Sequence, residues 1–471
     1  MSALPVYSQL LLHTHSDLFE FRSVINSLIS CVRHTCALSS PYLDPDGCLA
    51  FQPVFADYAS SPHLSQIPPA LLAAVYNDVG AGVQSFGGYR ETFLKASFEL
   101  SPFEGAVVKN YAYVLEQADR VEEAAAMLAG LGEGGGVVDG GVKLLSATLC
   151  PPHHDSVEAA RARYEKILGG LAEIVEEGGV GGGGDPAKEV AQMPLSWPYL
   201  GFPMRAMTES LGKAYSTLFP DIANNGIESN NLGGGGAKLR LGVVAEYAGN
   251  TSPGQLIQEA LKGLPADDLE IVFFKAPGLT TEFAEEMERV AAETRELVPF
   301  DTRASQDVVK AGGVDVLLYI AIGMSPLTYY MASSRLAPVV CVYAHGHPIT
   351  SGLPGSAVDY FLTSDSFALD RGADGREAYT EQAVKFDTLT AHLVPPGKGA
   401  GGGHGVDLDP GLNYYACLQY TKKIHPGFDE ALAGVLGEDP GGRLLVLEGA
   451  RRFIPRWKAG GFTDDMLDRI M

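Results

Sequence analysis

The second half of the chain alternates short apolar runs with stretches of helical spacing. The apolar runs are rich in β-branched residues, and each has the length of a buried strand. They are LRLGVVAEY, LEIVFFKA, VDVLLYIAI, APVVCVYA and VDYFLTSD, and the helices predicted between the first three cover 252–264 and 280–294. Strands that alternate with helices predict a parallel sheet covered on both faces. Such sheets bind ligands at the carboxyl ends of their strands.

Upstream of residue 140 the spacing is helical throughout. The segment NYAYVLEQADRVEEAAAML places small residues where the two helices of a hairpin touch, and it resembles a tetratricopeptide repeat. A weaker copy precedes it, marked by Gly80, Tyr89, Phe93 and Ala96. Two repeats are fewer than the roughly three that a free-standing solenoid needs, so we expect them to pack on neighbouring helices. Residues 1–70 carry no pattern that assigns them a structure.

Three glycine-rich tracts, at Gly178 to Gly184, Gly233 to Gly236 and Gly399 to Gly405, divide the chain. Their high backbone entropy favours linkers or insertions, because a phosphate-binding loop needs a strand before it and a helix after it. We therefore expect a helical, repeat-like region over 1–140 and a helical lead-in with glycine-rich inserts over 141–237. A first α/β lobe is predicted over 238–405 and the start of a second over 406–471.

Composition and charge limit the kinds of molecule that we expect this protein to bind. The net charge of −23 argues against nucleic acid, although it leaves room for a local basic pocket that binds a nucleotide diphosphate. The six cysteines form no CxxC pair, and the histidines near residue 346 have no nearby carboxylate, so no metal site is predicted. No signal peptide and no apolar run of membrane length is evident. We expect a protein of the cytoplasm, the nucleus or both, without a membrane partner.

The first candidate site is the loop GHPITSG, which follows the strand APVVCVYA. His345, His347, Thr350 and Ser351 place polar side chains within seven residues of a ligand-facing edge. A glycine- and proline-rich loop with hydroxyl groups is also typical of a capped turn, so the residues alone leave both interpretations open.

The second candidate lies in CLQYTKKIHPGFDEALAGVLGEDPGGRLLVLEG, which predicts a strand, a turn, a helix and another strand. Lys422 and Lys423 stand just before the turn. Two adjacent lysines most often mark a solvated surface, and the alternative is a site for an anion.

Taken together, these segments resemble the SPINDLY and protein O-GlcNAc-transferase family of glycosyltransferases. They are also similar to the bacterial adhesin N-glucosyltransferases. The resemblance runs from PPHHDSVEAARARYEK, at Pro151, to the C-terminus. The matching residues of the central block are Arg335, Leu336, Ala337, Pro338, Gly346, His347, Pro348, Thr350, Ser351, Gly352, Asp359, Tyr360 and Phe361.

The resemblance implies a two-lobed, Rossmann-like fold of the GT-B type. It also implies an enzyme that transfers N-acetylglucosamine from UDP-GlcNAc to serine or threonine of an acceptor protein. The implied reaction needs no cofactor, and the UDP-sugar donor is a co-substrate. Lys423 and His347 would be catalytic, with Lys423 stabilising the charge that develops on the departing diphosphate. The implied substrate- and nucleotide-binding residues are Gln419, Gly346, Thr350, Ser351, Gly352 and Thr251.

Two features depart from the family pattern. Thr251 stands where relatives carry a histidine, and threonine cannot shuttle a proton near neutral pH. The second lobe is expected to be incomplete, because it begins near Val406 and the sequence ends at Met471. An alternative hypothesis is therefore an inactive homologue that acts as a protein-interaction module. The donor sugar stays open, since relatives use N-acetylglucosamine, glucose or fucose.

Overall fold

The protein is described by a computed structural model. The described residues are 69–82, 87–178, 184–190, 196–227, 238–245, 252–277, 281–320, 322–323, 325–343, 349–368, 378–391 and 408–471. They belong to two compact units, Met1–Ser146 and Ala147–Met471.

The described part of the first unit is helical, as predicted. Its helices are α1 (Pro69–Gly82), α2 (Gly87–Leu100), α3 (Gly105–Gln117), α4 (Val121–Glu133) and α5 (Gly140–Thr148), the last of which crosses into the second unit. Helices α3 and α4 form a hairpin across a short turn at Asp119, whose φ of 62° is left-handed. Ala112 and Ala124, two small residues of the segment NYAYVLEQADRVEEAAAML, are fully buried.

The second unit begins with a helical lead-in. It contains α6 (Val157–Glu177), α7 (Pro186–Glu189), a 3-10 turn over Trp197–Leu200, α8 (Arg205–Leu218) and α9 (Pro220–Ala223). Ser156 caps the N-terminus of helix α6, because its hydroxyl group accepts a hydrogen bond from Ala159 N at 3.1 Å. Within the described residues, no helix is both long enough and apolar enough to cross a membrane.

A parallel sheet follows. Its strands are β1 (Leu239–Ala245), β2 (Leu269–Lys275), β3 (Glu293–Glu296), β4 (Val316–Tyr319), β5 (Val339–Tyr343), β6 (Tyr360–Ser364) and β7 (Gln382–Phe386). The helices between them are α10 (Ser252–Lys262), α11 (Glu282–Val290), α12 (Thr302–Ala311) and α13 (Pro326–Met331). The strand order is β3-β2-β1-β4-β5-β6-β7, so the order reverses between β1 and β4. Val243, Phe273 and Ile320 lie in the fully buried core on one face of this sheet.

The apolar runs correspond to the strands inside the sheet, and the two edge strands differ from expectation. Strand β3 occupies residues 293–296, where the predicted helix 280–294 ends early at Val290. Both β3 and β7 have half-exposed or exposed residues along their length. An edge strand faces solvent and needs no continuous apolar run, so its sequence lacks the pattern of a buried strand.

A smaller parallel pair follows, formed by β8 (Tyr414–Cys417) and β9 (Arg443–Val446). Helices α14 (Asp429–Glu438), α15 (Ile454–Ala459) and α16 (Asp464–Asp468) accompany it. Leu436, Leu444 and Trp457 are buried in its core. Arg456 binds both carboxylate oxygens of Asp429, at 2.7 and 2.8 Å, and Trp457 Nε1 donates to the same carboxylate at 3.0 Å.

Candidate functional site

The reversal of strand order between β1 and β4 marks the carboxyl edge where a sheet of this kind binds ligands. The segments that leave β1 and β5 at this edge, 246–251 and 344–348, lie outside the described residues. Thr251, Gly346 and His347 fall in those segments. Their predicted roles therefore stay predictions.

The described end of the GHPITSG loop is buried. Thr350 and Ser351 are 1% and 2% exposed, and both of their hydroxyl groups donate to the carboxylate of Glu381, which is itself buried. The Thr350 bond is 2.6 Å long, and Ser351 N donates to the same carboxylate at 2.8 Å. Thr350 Oγ1 also accepts a hydrogen bond from Thr380 N at 2.8 Å. These contacts stabilise the loop, and a substrate role for the two hydroxyl groups stays a prediction.

Gly352 brings the same loop onto helix α8 of the lead-in. Its φ is +70°, and a Cβ at this position would lie 2.1 Å from the carbonyl carbon of Thr208. On the helix side, a Cβ on Gly212 would lie 2.6 Å from Gly352 O. Only glycine permits both the left-handed backbone and this close approach. Gly352 therefore fixes the loop against the lead-in.

The carboxyl end of β8 carries the second group of predicted residues. Gln419 and Lys423 are both exposed, and Lys423 ends a 3-10 turn over Thr421–Lys423. The Nζ atom of Lys423 lies 5.7 Å from the centroid of the Tyr199 ring, a cation–π distance. The structure thus places Gln419 and Lys423 shortly after the carboxyl end of β8, and their predicted roles stay predictions.

Lys422 lies beside Lys423 and is half-buried. Burial lowers the pKa of Lys422, and the neighbouring charge of Lys423 lowers it further. No ion pair to either lysine is found within the described part of the chain. Two ammonium groups without a carboxylate partner form an environment that favours an anion.

The lead-in contacts this lysine turn at its first residue, Thr421, and again two residues after its end, at His425. His153 Nε2 and Thr421 Oγ1 share a hydrogen bond of 2.8 Å. Gly427 N donates to His425 Nδ1 at 3.0 Å, so the other ring nitrogen carries the proton and donates to Leu200 O at 3.1 Å.

The sequence does not predict the contacts of His153 and Tyr199 with the lysine turn, because no spacing rule links residues more than 200 positions apart. The only available signal was that the resemblance includes the PPHH segment.

An apolar cavity of about 760 Å³ lies elsewhere, on one face of the seven-stranded sheet. Its walls include Leu241, Leu318, Cys341 and Tyr343 of the sheet and Ile257 of α10. Burial and the charge of Asp359 raise the pKa of the Cys341 thiol to about 11. Among the predicted site residues that the structure describes, none lines this cavity. A search of the described residues finds no cluster of three or more histidine, cysteine or acidic side chains suited to a metal ion.

Comparison with known proteins places the fold. No protein-family model matches the chain, and no curated protein sequence matches it. Among solved structures, a mutant of the O-GlcNAc transferase from Thermobaculum terrenum aligns with 95% of this chain and 74% of its own, with 15% sequence identity and a TM-score of 0.55. A UDP-N-acetylglucosamine 2-epimerase structure from Listeria monocytogenes aligns with 50% of this chain and 68% of its own, at 12% identity. Its TM-score of 0.22 is too low to carry an argument.

At this identity the first likeness shows the fold. This chain has the α/β architecture of a GT-B glycosyltransferase, with a helical N-terminal region and a parallel Rossmann-like sheet. The predicted fold class, and the resemblance from which it came, are confirmed at this level.

Proposed function

We propose that this chain is a protein glycosyltransferase that moves N-acetylglucosamine from UDP-GlcNAc to a serine or threonine hydroxyl group. One observation carries the proposal: Lys422 and Lys423 lie without an ion-pair partner, among the described residues, at the end of a strand in a glycosyltransferase fold. A chain of net charge −23 has many carboxylates available. Leaving two lysines unpaired beside each other suits a site whose anion is the substrate.

The chemistry of the proposed reaction assigns a role to each group. The acceptor oxygen attacks the anomeric carbon, and the bond from that carbon to the β-phosphate oxygen breaks with its electron pair going to UDP. Lys423 stabilises the charge that collects on the diphosphate, and Gln419 contacts the nucleotide. His347 is the proposed acceptor of the hydroxyl proton.

The remaining residues of the proposal hold or line the sugar site. Gly346 and Thr251 belong to the segments of the sequence that follow β5 and β1. Thr350, Ser351 and Gly352 support the GHPITSG loop through Glu381 and α8.

Titration calorimetry with UDP, together with transfer of labelled N-acetylglucosamine to a peptide mixture, tests the proposal. Lys423→Met is expected to weaken UDP binding about ten- to a hundredfold, because a charge-assisted contact is worth about 1.5–3 kcal/mol. Lys458→Met is the matched control, since Lys458 is exposed and paired with Asp464 at 3.1 Å. Equal affinities for the two variants would contradict the assignment of Lys423.

The second candidate is an inactive homologue that binds other proteins through its helical hairpins. The threonine at position 251, where relatives carry a histidine, favours it. In that case the purified chain would neither bind UDP at millimolar concentration nor transfer any of the three candidate sugars. Either UDP binding that depends on Lys423 or labelled product would exclude this candidate.

A further inference from the structure

The turn that carries Lys423 has little structure of its own. It spans three residues, and its internal hydrogen bonds are Lys423 N to Tyr420 O at 2.8 Å and Ile424 N to Thr421 O at 2.9 Å. Tyr420, the residue just before the turn, is 70% exposed. A lysine side chain is flexible, so the location of its ammonium group depends on what fixes the two ends of this turn.

His153 contacts the first end. Its Nε2 atom is 2.8 Å from Thr421 Oγ1, and its ring packs edge-on against Phe453 with 5.5 Å between centroids. The next residue is fixed as well, because Arg456 Nη1 donates to His154 O at 2.8 Å. The lead-in thus places the His153 imidazole, which packs on Phe453, in contact with Thr421, the first residue of the lysine turn.

The methyl group of Thr421 is also in close contact with a neighbouring segment. A Cβ on Gly449 would lie 3.1 Å from the Thr421 methyl carbon, so the segment after β9 packs closely there. At the second end of the turn, the His425 ring donates to Leu200 O and lies so close to Gly201 that a Cβ there would be 3.0 Å from Nε2. Thr421 is therefore held through both its hydroxyl group and its methyl group, while Lys422 is half-buried and Lys423 is exposed.

We propose that His153 is a positioning residue that acts through Thr421 to hold Lys423 where it meets a nucleoside diphosphate. This inference rests on the proposed function, since it assumes that Lys423 binds the diphosphate. It assigns the lead-in segment, which precedes both sheets in the chain, a part in the donor site.

Paired substitutions separate the hydrogen bond from the packing. Thr421→Val removes the hydroxyl group and keeps the shape, whereas Thr421→Ser keeps the hydroxyl group. His153→Phe keeps a ring against Phe453, whereas His153→Gln keeps a group that can bond Thr421. We expect the Val and Phe variants to weaken UDP binding about fivefold, as the loss of one hydrogen bond implies, and the Ser and Gln variants to restore most of it. Thr217→Val, at a half-buried threonine of α8 whose hydroxyl group donates to Lys213 O at 3.0 Å, is the control and should leave UDP affinity unchanged.

The decisive measurement repeats Thr421→Val and His153→Phe in the Lys423→Met background. If His153 acts through Lys423, neither substitution changes UDP affinity in the Lys423→Met background. Each substitution should still lower the denaturation midpoint in that background, because the hydrogen bond between His153 and Thr421 is lost in either case. A fivefold weakening that survives in that background would overturn the positioning role and leave the proposed function intact. So would full affinity in both single variants. If the unmodified chain binds no UDP, the proposed function fails first and the inference fails with it.

Discussion

Arg335 and Asp359 form a bidentate ion pair between the segments that precede β5 and β6. The two residues are 24 positions apart in the sequence. Arg335 Nη1 donates to Asp359 Oδ2 at 2.9 Å, and Nη2 donates to Oδ1 at 2.7 Å. The same carboxylate accepts a hydrogen bond from Val340 N at 2.8 Å, and the guanidinium also donates to three backbone carbonyl groups. Both residues belong to the block that resembles the glycosyltransferase family. These contacts hold together the two segments that lead into β5 and β6.

We expect Asp359→Asn to lower the free energy of unfolding by about 2 kcal/mol, because it leaves a partly buried guanidinium without its charge partner. Urea denaturation followed by circular dichroism measures the change. Lys458→Met, which breaks a solvent-exposed pair, is the control and should stay within about 0.5 kcal/mol of the unmodified chain. A cost no larger than that of the control would show that the pair contributes nothing.

The same pair predicts a dependence of stability on pH. Burial alone would raise the pKa of Asp359, but the hydrogen bonds from Arg335 and Val340 N and the charge of Arg335 lower it below its usual value. A carboxylate with a lowered pKa stabilises the fold at pH values above the unfolded pKa of about 4, and this contribution disappears as pH falls through the folded pKa. The stability difference between the unmodified chain and Asp359→Asn should therefore be constant near neutral pH and shrink below about pH 4. Denaturation series at several pH values test this, and a difference that grows in acid would contradict it.

We expect Gly352→Ala to cost about 3 kcal/mol, because alanine disfavours a φ of +70° and its methyl group would meet the Thr208 backbone. Gly355→Ala is a matched control three residues away, where an added Cβ meets nothing within 4 Å. Differential scanning calorimetry of the two variants gives the comparison. Equal melting temperatures would mean that the loop can leave α8 without cost.

The sequence predicts the centre of the fold better than its edges. Strand β5 is buried along most of its length, so its composition reports its environment directly. Strand β7 faces solvent at its ends and was not predicted, because nothing in its sequence requires burial. Burial, which the apolar pattern reports, is thus the property that made a strand predictable.

For the candidate site, the sequence predicts features set by neighbouring residues and does not predict contacts between distant ones. The sequence predicts the strand before Lys423, because a strand followed by a turn is a local pattern, and the structure has β8 there. The burial of Thr350 was not predictable, because its partner Glu381 is 31 residues away and a polar loop ordinarily suggests solvent. The contact between His153 and Thr421 joins residues 268 positions apart. Only the folded chain shows contacts of this kind.

The lysine turn itself gives the last prediction, which separates function from stability. Burial and the charge of Lys423 lower the pKa of Lys422, so the folded state disfavours its ammonium form. A base with a lowered pKa destabilises the fold at pH values below the folded pKa, and the effect vanishes as pH rises above the unfolded value of about 10.4. Lys422→Met keeps the apolar stem and removes the charge. We therefore expect its free energy of unfolding at pH 7 to equal or exceed that of the unmodified chain, while its affinity for UDP falls about tenfold.

Denaturation and calorimetry on the same Lys422→Met preparation test both parts of this prediction. Lys458→Met is again the control, with neither quantity changed. A binding residue is often kept at some cost to stability, so a gain in one quantity and a loss in the other would mark Lys422 as part of the anion site. A variant that loses stability and keeps its affinity for UDP would identify Lys422 as a packing residue instead, and the unpaired charge would then have no role in binding.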